Sequence, residues 1–232
     1  MKHSSQMRIV SPTVGRGLAA VAVLVASAAF ADRTAWAQEA VESTVAPPPT
    51  QRVPAGETWQ LEFRPGPLRV YVDPYSGEAY WYLTYEVANR SGRERMWAPR
   101  IELQTDAGQV QASGQGVPRL VTEDLQRTLS SARSERRTEK VLDQNQVIGP
   151  IVTGPEHTRE GLVVWRVEDP TVTELTIYVA GVTNHRETAA HPETGEPVVL
   201  RRARALRFST PGEIALLEGA SIEPNGQEWV LR

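Results

Sequence analysis

Trp81-Tyr82-Leu83-Thr84-Tyr85-Glu86-Val87 places Trp81, Leu83, Tyr85 and Val87 at every second position, with Tyr82, Thr84 and Glu86 between them. Side chains alternate across a strand, so this rhythm describes a strand with one face buried and one face open. The same period runs outward in both directions. Upstream, Trp59, Leu61 and Phe63 alternate with Gln60 and Glu62, and Leu68, Val70 and Val72 alternate with Arg69, Tyr71 and Asp73. Downstream, the chain turns at Asn89-Arg90-Ser91-Gly92 and returns through Trp97, Ile101 and Leu103, opposed by Arg100, Glu102 and Gln104. Pro99 falls within that return strand and predicts an edge position or a bulge, because proline has no amide hydrogen for the ladder. A short strand over 109–113 follows the Asp106-Ala107-Gly108 turn, and further strands are predicted over 161–167, 172–181, 197–208 and 228–232.

One segment breaks the rhythm. Val117, Val121, Leu125 and Leu129 recur every four residues after Pro118, which suits a first helical turn, and predict one short amphipathic helix over 118–131. The charged stretch 130–145 has no period and is expected to be a long exposed loop. Many short strands separated by turn signals point to a mainly β fold, an antiparallel β-sandwich with one inserted helix, over residues 58–232. Its expected core is Trp59, Leu61, Phe63, Trp81, Leu83, Tyr85, Trp97, Ile101, Leu103, Trp165, Leu175 and Ile177. Two turns share a chemistry: Asp73-Pro74-Tyr75-Ser76-Gly77-Glu78 and His191-Pro192-Glu193-Thr194-Gly195-Glu196 both combine a fixed proline φ with a permissive glycine.

The N-terminal region concerns address. Lys2, Arg8 and Arg16 precede an uncharged run, Leu18 to Ala31, and small-x-small sites follow at Ala29-Phe30-Ala31 and Ala35-Trp36-Ala37. This is the order of a secretory signal peptide over residues 1–37, with cleavage after Ala37 favoured and cleavage after Ala31 the alternative. The run falls short of the ~20 apolar residues that span a bilayer, so no stable membrane anchor is expected after cleavage. Residues 38–57 carry Pro47, Pro48, Pro49 and Pro54 and read as a stiff linker. A periplasmic or secreted location follows.

Composition removes several classes of function. The chain has no cysteine, hence no disulfide framework and no thiol nucleophile. The net charge is −3; cleavage after Ala37 removes four cations and one anion and leaves the mature chain near −6, a poor match for nucleic acid. No Gly-x-Ser-x-Gly elbow, His-Glu-x-x-His pair or phosphate-cradling glycine loop occurs, so no catalytic residue is expected. A carboxylate pair that converges only in the fold lies beyond such a reading. His157, His185 and His191, even with Glu187 and Glu193, fit no metal spacing, and Asp73 with Glu78 lacks the oxygen period of a calcium loop, so no metal or cofactor is expected. Asn89-Arg90-Ser91 matches the glycosylation acceptor pattern, but its place in a hairpin turn suffices to explain the asparagine.

Two groups remain as candidate ligand sites. Alternation leaves Tyr80 and Tyr82, with Tyr75 in the adjoining turn, as an exposed aromatic platform for sugar rings or an extended peptide. Arg201, Arg202, Arg204 and Arg207 line one late strand, with Arg202 and Arg204 the candidates for holding an anionic glycan, a phosphate or a partner's acidic face.

Through Gly77-Glu78-Ala79-Tyr80-Trp81-Tyr82, Asn89, Gly92, Trp97-Ala98-Pro99-Arg100 and the closing Glu228-Trp229-Val230-Leu231-Arg232, the chain resembles a group of uncharacterised exported bacterial proteins. That resemblance implies an immunoglobulin-like β-sandwich and brings no catalytic residue or cofactor. The sequence therefore leads to an exported, non-enzymatic interaction module with an unknown protein partner, and to a carbohydrate-binding module as the alternative.

Overall fold

The Trp81–Val87 alternation becomes the central strand of a three-stranded antiparallel sheet. In the computed structural model, residues 56–133, 140–213, 217 and 219–232 are described. The signal segment, nearly all of the linker and part of the 130–145 stretch lie outside them. In chain order the elements are β1 (Glu62–Val72), β2 (Ala79–Ala88), β3 (Arg95–Trp97), β4 (Arg100–Thr105), β5 (Val110–Ala112) and α1 (Arg119–Arg133). They continue with β6 (Gly149–Ile151), β7 (Arg159–Arg166), β8 (Glu174–Ala180), β9 (Arg186–Ala190), β10 (Pro197–Ser209) and β11 (Gly226–Leu231). The described chain is thus mainly β, its sheets antiparallel, with one α-helix.

Three sheets form. The first has the order β1-β2-β7, the second β11-β10-β8-β4-β5 with β9 added along β10, and the third is the ribbon β3-β6. One apolar cluster draws on both larger sheets: Leu68, Trp81, Leu83, Tyr85 and Trp165 from the first, Ile101, Leu103, Leu175, Ile177, Leu206 and Phe208 from the second. Each such side chain gains ~1.5–3 kcal/mol on full burial, which is what a cysteine-free chain must rely on. Ten of the expected core residues are buried there; Trp59 and Phe63 pack against the cluster while half-exposed.

A second cluster lies on the other face of β2 and β7. Val121, Leu125 and Leu129 of α1, the predicted four-residue stripe, close over Tyr80, Leu162 and Val164. Gln126 of the helix is buried and donates to the carbonyl of Val141 at 2.9 Å. That bond draws the segment after the helix into the cluster. Val141 and Val147 are buried, so the expectation of an exposed loop fails for the described part of 130–145 and the residues just after it.

Two strand expectations change for identifiable reasons. The runs ending at Phe63 and starting at Leu68 join into a single β1, whose register shifts between Pro65 and Leu68. Gly66 lies against Thr84 there, where a Cβ would meet the Thr84 carbonyl oxygen at 2.9 Å. Pro99 does not sit inside a strand. It separates β3 from β4, so Trp97 belongs to the ribbon with β6 while Ile101 joins β8 in the larger sheet. Both side chains still reach the same core.

Candidate functional site

The tyrosine platform does not form. Tyr80 is fully buried beneath α1, its hydroxyl donating to the Glu78 carboxylate at 2.7 Å. Burial, and then that hydrogen bond, push its phenol up to about 12. Tyr82 is half-buried against the same helix cluster, and only Tyr75, 90% exposed at the β1–β2 turn, faces solvent. The error has a physical source: alternation identifies two faces of a strand but does not say that a helix will cover the second.

The arginine strand also divides. Arg202 and Arg204 share a face with Leu206 and Phe208, and their guanidinium carbons lie 4.8 and 5.2 Å from the ring centroid of Trp229 on β11. Arg204 further donates to the Gln227 side chain at 3.0 Å. These two cations cover an aromatic ring at the margin of the core, a contact worth ~0.5–1 kcal/mol at exposed sites. Arg201 and Arg207 point to the opposite face, where Arg207 is ion-paired with Glu228.

The histidines are engaged within their own turns. His157 lies 3.4 Å from Glu156, His185 lies 3.0 Å from Glu187, and Nδ1 of His191 accepts the amides of Glu193 and Thr194 at 3.3 Å. Among the described residues no group of three His, Asp or Glu side chains could hold a metal ion. One carboxylate pair does meet across strands, Glu86 opposite Glu160 on β2 and β7, and each is engaged in interactions of its own. Asn89 is buried. Its Nδ2 donates to the carbonyls of Arg93 and Ile151, both at 2.7 Å, and its Oδ1 accepts the amide and hydroxyl of Ser91, both at 2.9 Å. Asn89 thus holds a turn, but not the expected hairpin: β2 pairs with β1 and β7, whereas β3, beyond the turn, pairs with β6.

What the fold assembles instead is the β3–β6 ribbon. Arg95 pairs with Ile151, Met96 with Pro150 and Trp97 with Gly149. Trp97 and Ile151, with Val147 just before β6, turn inward and are buried. The opposite face then carries Met96, Ile148, Pro150 and Val152, with Met96 59%, Ile148 51% and Val152 47% exposed. Pro150 is exposed as well. Arg159 fixes the strand from the side, donating to the carbonyls of Val147 at 2.9 Å and Pro150 at 2.5 Å. Pro150 offers no amide hydrogen, so this stretch of edge resists pairing with another strand. Beside the ribbon opens a cavity of about 350 Å³, lined by the apolar Leu142, Ile151 and Val152 and by the charged Lys140, Glu156 and Arg159.

This region escaped sequence reading because Val147-Ile148-Gly149-Pro150-Ile151-Val152 is uniformly uncharged and interrupted by glycine and proline. No period can be counted in it. The signal that could have found it is the run itself: isolated exposed apolar residues are ordinary, but several adjoining ones are not.

A scan against protein-family models finds no match to this chain, and searches of curated proteins and of solved structures likewise return none. No helix among the described residues is long and apolar enough to cross a membrane.

Proposed function

We propose that this chain is an exported, non-enzymatic interaction module that docks a protein partner on the outward face of the β3–β6 ribbon. In the same reading its two larger sheets stack as a β-sandwich of the immunoglobulin-like kind, and residues 1–37 direct it to the periplasm or the cell exterior. The observation that carries the proposal is the apolar row Met96, Ile148, Pro150 and Val152, held open on a ribbon whose other face is anchored in the core. Rigid backing matters here. A surface ordered before binding loses little entropy on association, so more of its contact energy appears as affinity. The apolar row beside a cavity lined in part by Lys140, Glu156 and Arg159 also combines apolar and charged surface, as protein-binding patches do. The sugar-platform alternative has lost its aromatic surface, since Tyr80 is buried and Tyr82 is half-covered.

Photo-crosslinking in the native host tests this reading. A photoreactive residue at position 148 should yield a discrete protein adduct that Met96→Asp abolishes, whereas the same residue at the exposed position 120 should not. Equal labelling from both positions, insensitive to Met96→Asp, would overturn the proposal. Detection of the full chain only in the cytoplasmic fraction would overturn its export.

A further inference from the structure

We propose a second binding site, for a tetrahedral oxyanion of the sulfate or phosphate type, on the face of the larger sheet opposite Leu206 and Phe208. It rests on a cross-strand row of three arginines, Arg186 of β9, Arg201 of β10 and Arg232 just past the end of β11. Arg201 of β10 lies directly opposite Arg186 of β9. On its other side Arg201 exchanges both backbone hydrogen bonds with Arg232, at 2.6 and 3.0 Å. Since Arg201 spends its amide and carbonyl on the Arg232 side, its pairing with Arg186 is of the non-hydrogen-bonded kind. Such pairs bring Cα atoms to ~4.5 Å and side chains closest together.

Placing like charges directly opposite is unfavourable in a sheet, and here the charges are not neutralised locally. Arg186 and Arg201 are exposed, and neither has an ion pair or side-chain hydrogen bond among the described residues. Arg232 turns away, its guanidinium carbon 3.7 Å from the ring centroid of Tyr178 and its Nη1 3.4 Å from Glu102. Glu102 is shared with Arg100 at 2.7 Å, and Glu187, next to Arg186 in the chain, lies 3.0 Å from His185. Two free planar forks remain, side by side, in a mature chain that is otherwise acidic.

The ligand class follows from that geometry. A single carboxylate has two oxygens and satisfies one guanidinium fork in bidentate fashion; a tetrahedral dianion has oxygens enough for two forks and a charge that matches both. Thr188 stands two residues from Arg186 on the same face of β9 and supplies a hydroxyl within the same neighbourhood. Of these two only Arg201 belongs to the patch singled out by the sequence: Arg202 and Arg204 point to the other face, and Arg186 lies on a different strand.

The test is a titration of the mature chain with sodium phosphate and sodium sulfate against sodium chloride at matched ionic strength, followed by arginine side-chain NMR and by melting temperature. Phosphate or sulfate should shift the Nε resonances of Arg186 and Arg201 and raise the melting temperature beyond the chloride control. Arg201→Ala should weaken binding about tenfold, as expected for losing hydrogen bonds to a charged group. Arg201→Lys, which keeps the charge and loses the fork, should restore only part of it. The same chain is then presented to phosphatidylglycerol and phosphatidylcholine vesicles. Retention on the first alone, lost in Arg186→Ala/Arg201→Ala, identifies a lipid headgroup as the carrier; response to the free ions alone identifies a soluble one. Equal responses to phosphate, sulfate and chloride, unchanged in the double variant, together with no selective vesicle retention, would overturn the proposal. Because both arginines are exposed, an unaltered melting temperature of the ligand-free variants separates lost binding from lost folding.

Discussion

The β1–β2 and β9–β10 hairpins are joined by turns of the same design. In the first, the Asp73 amide donates to the Glu78 carbonyl at 2.9 Å and the Gly77 amide to Asp73 at 2.8 Å. In the second, His191 and Glu196 repeat the first bond at 2.8 Å and Gly195 and His191 the second at 2.9 Å. Gly77 and Gly195 adopt φ of 72° and 71°. Past the turns the hairpins diverge. β1 and β2 bury Leu68, Val70, Trp81, Leu83, Tyr85 and Val87, whereas no residue of β9, nor of β10 before Ala203, is buried. Local turn chemistry therefore specifies the shape of both, and tertiary burial decides which one carries the stability of the domain. A two-stranded hairpin on its own is marginal in water.

The largest effect expected comes from truncating one apolar side chain in the buried hairpin, against one in the exposed hairpin. Trp81→Ala should cost ~3–5 kcal/mol, a large part of a typical domain's ~5–15 kcal/mol, and leave the chain mostly unfolded near 37 °C. Val199→Ala on β10, equally apolar but exposed, should stay within ~0.5 kcal/mol of the parent in a urea titration. A similar loss at both positions would show that the β9–β10 hairpin shares the core's cooperativity.

Overpacking gives the next largest effect. Gly161 faces Tyr85 across β2 and β7, and a Cβ there would fall 2.2 Å from the tyrosine ring. Gly161→Ala should cost ~1–3 kcal/mol as the ring is displaced, read as a fall in urea midpoint at constant m-value.

The twin glycines sharpen the contrast further. Alanine at φ near +70° is strained by ~1–2 kcal/mol at either position. Gly77→Ala should lower the melting temperature by several degrees, at ~2–4 °C per kcal/mol for a domain of this size. Gly195→Ala should leave it nearly unchanged and instead speed amide exchange over 186–201, where local opening is cheap. Equal melting-point losses would place both hairpins in one cooperative unit.

The smallest effect concerns acid. Hydrogen bonds from the Ser76 hydroxyl, at 2.6 Å, and from the Tyr75 amide hold the Asp73 carboxyl below its ordinary value. A depressed folded-state pKa means that this stabilisation is present above the unfolded carboxylate value of ~3.9 and is lost as pH falls through the folded one. The melting-temperature gap between parent and Asp73→Asn should therefore be constant from pH 7 to about 5 and close below about pH 4. A gap that widens in acid would reverse the assignment.

The comparison also explains what could be read in advance. β2 was legible because Trp81, Leu83, Tyr85 and Val87 contrast sharply with Thr84 and Glu86, and α1 because its stripe recurs every four residues. β9 was not, since Arg186-Glu187-Thr188-Ala189-Ala190 buries nothing and so has no apolar face to announce. β6 failed for the opposite reason, being apolar throughout. For the candidate sites the limit is different in kind. Tyr80 looked exposed because its cover comes from α1, some forty residues later, and Arg186 meets Arg201 only through strand register. Both depend on pairings between distant segments, which a periodicity cannot encode.

Asn89 carries a consequence for how this protein can be manufactured. Both hydrogens of its side-chain amide are spent on carbonyls inside the fold. In a eukaryotic secretory pathway, oligosaccharide attached to the Asn89-Arg90-Ser91 acceptor during synthesis would take one of those hydrogens before the turn could close. The sugar would then stand where the carbonyl of Arg93 or of Ile151 must dock. Such a host would sort the product into two pools, an unmodified one that folds and a glycosylated one that is retained for degradation.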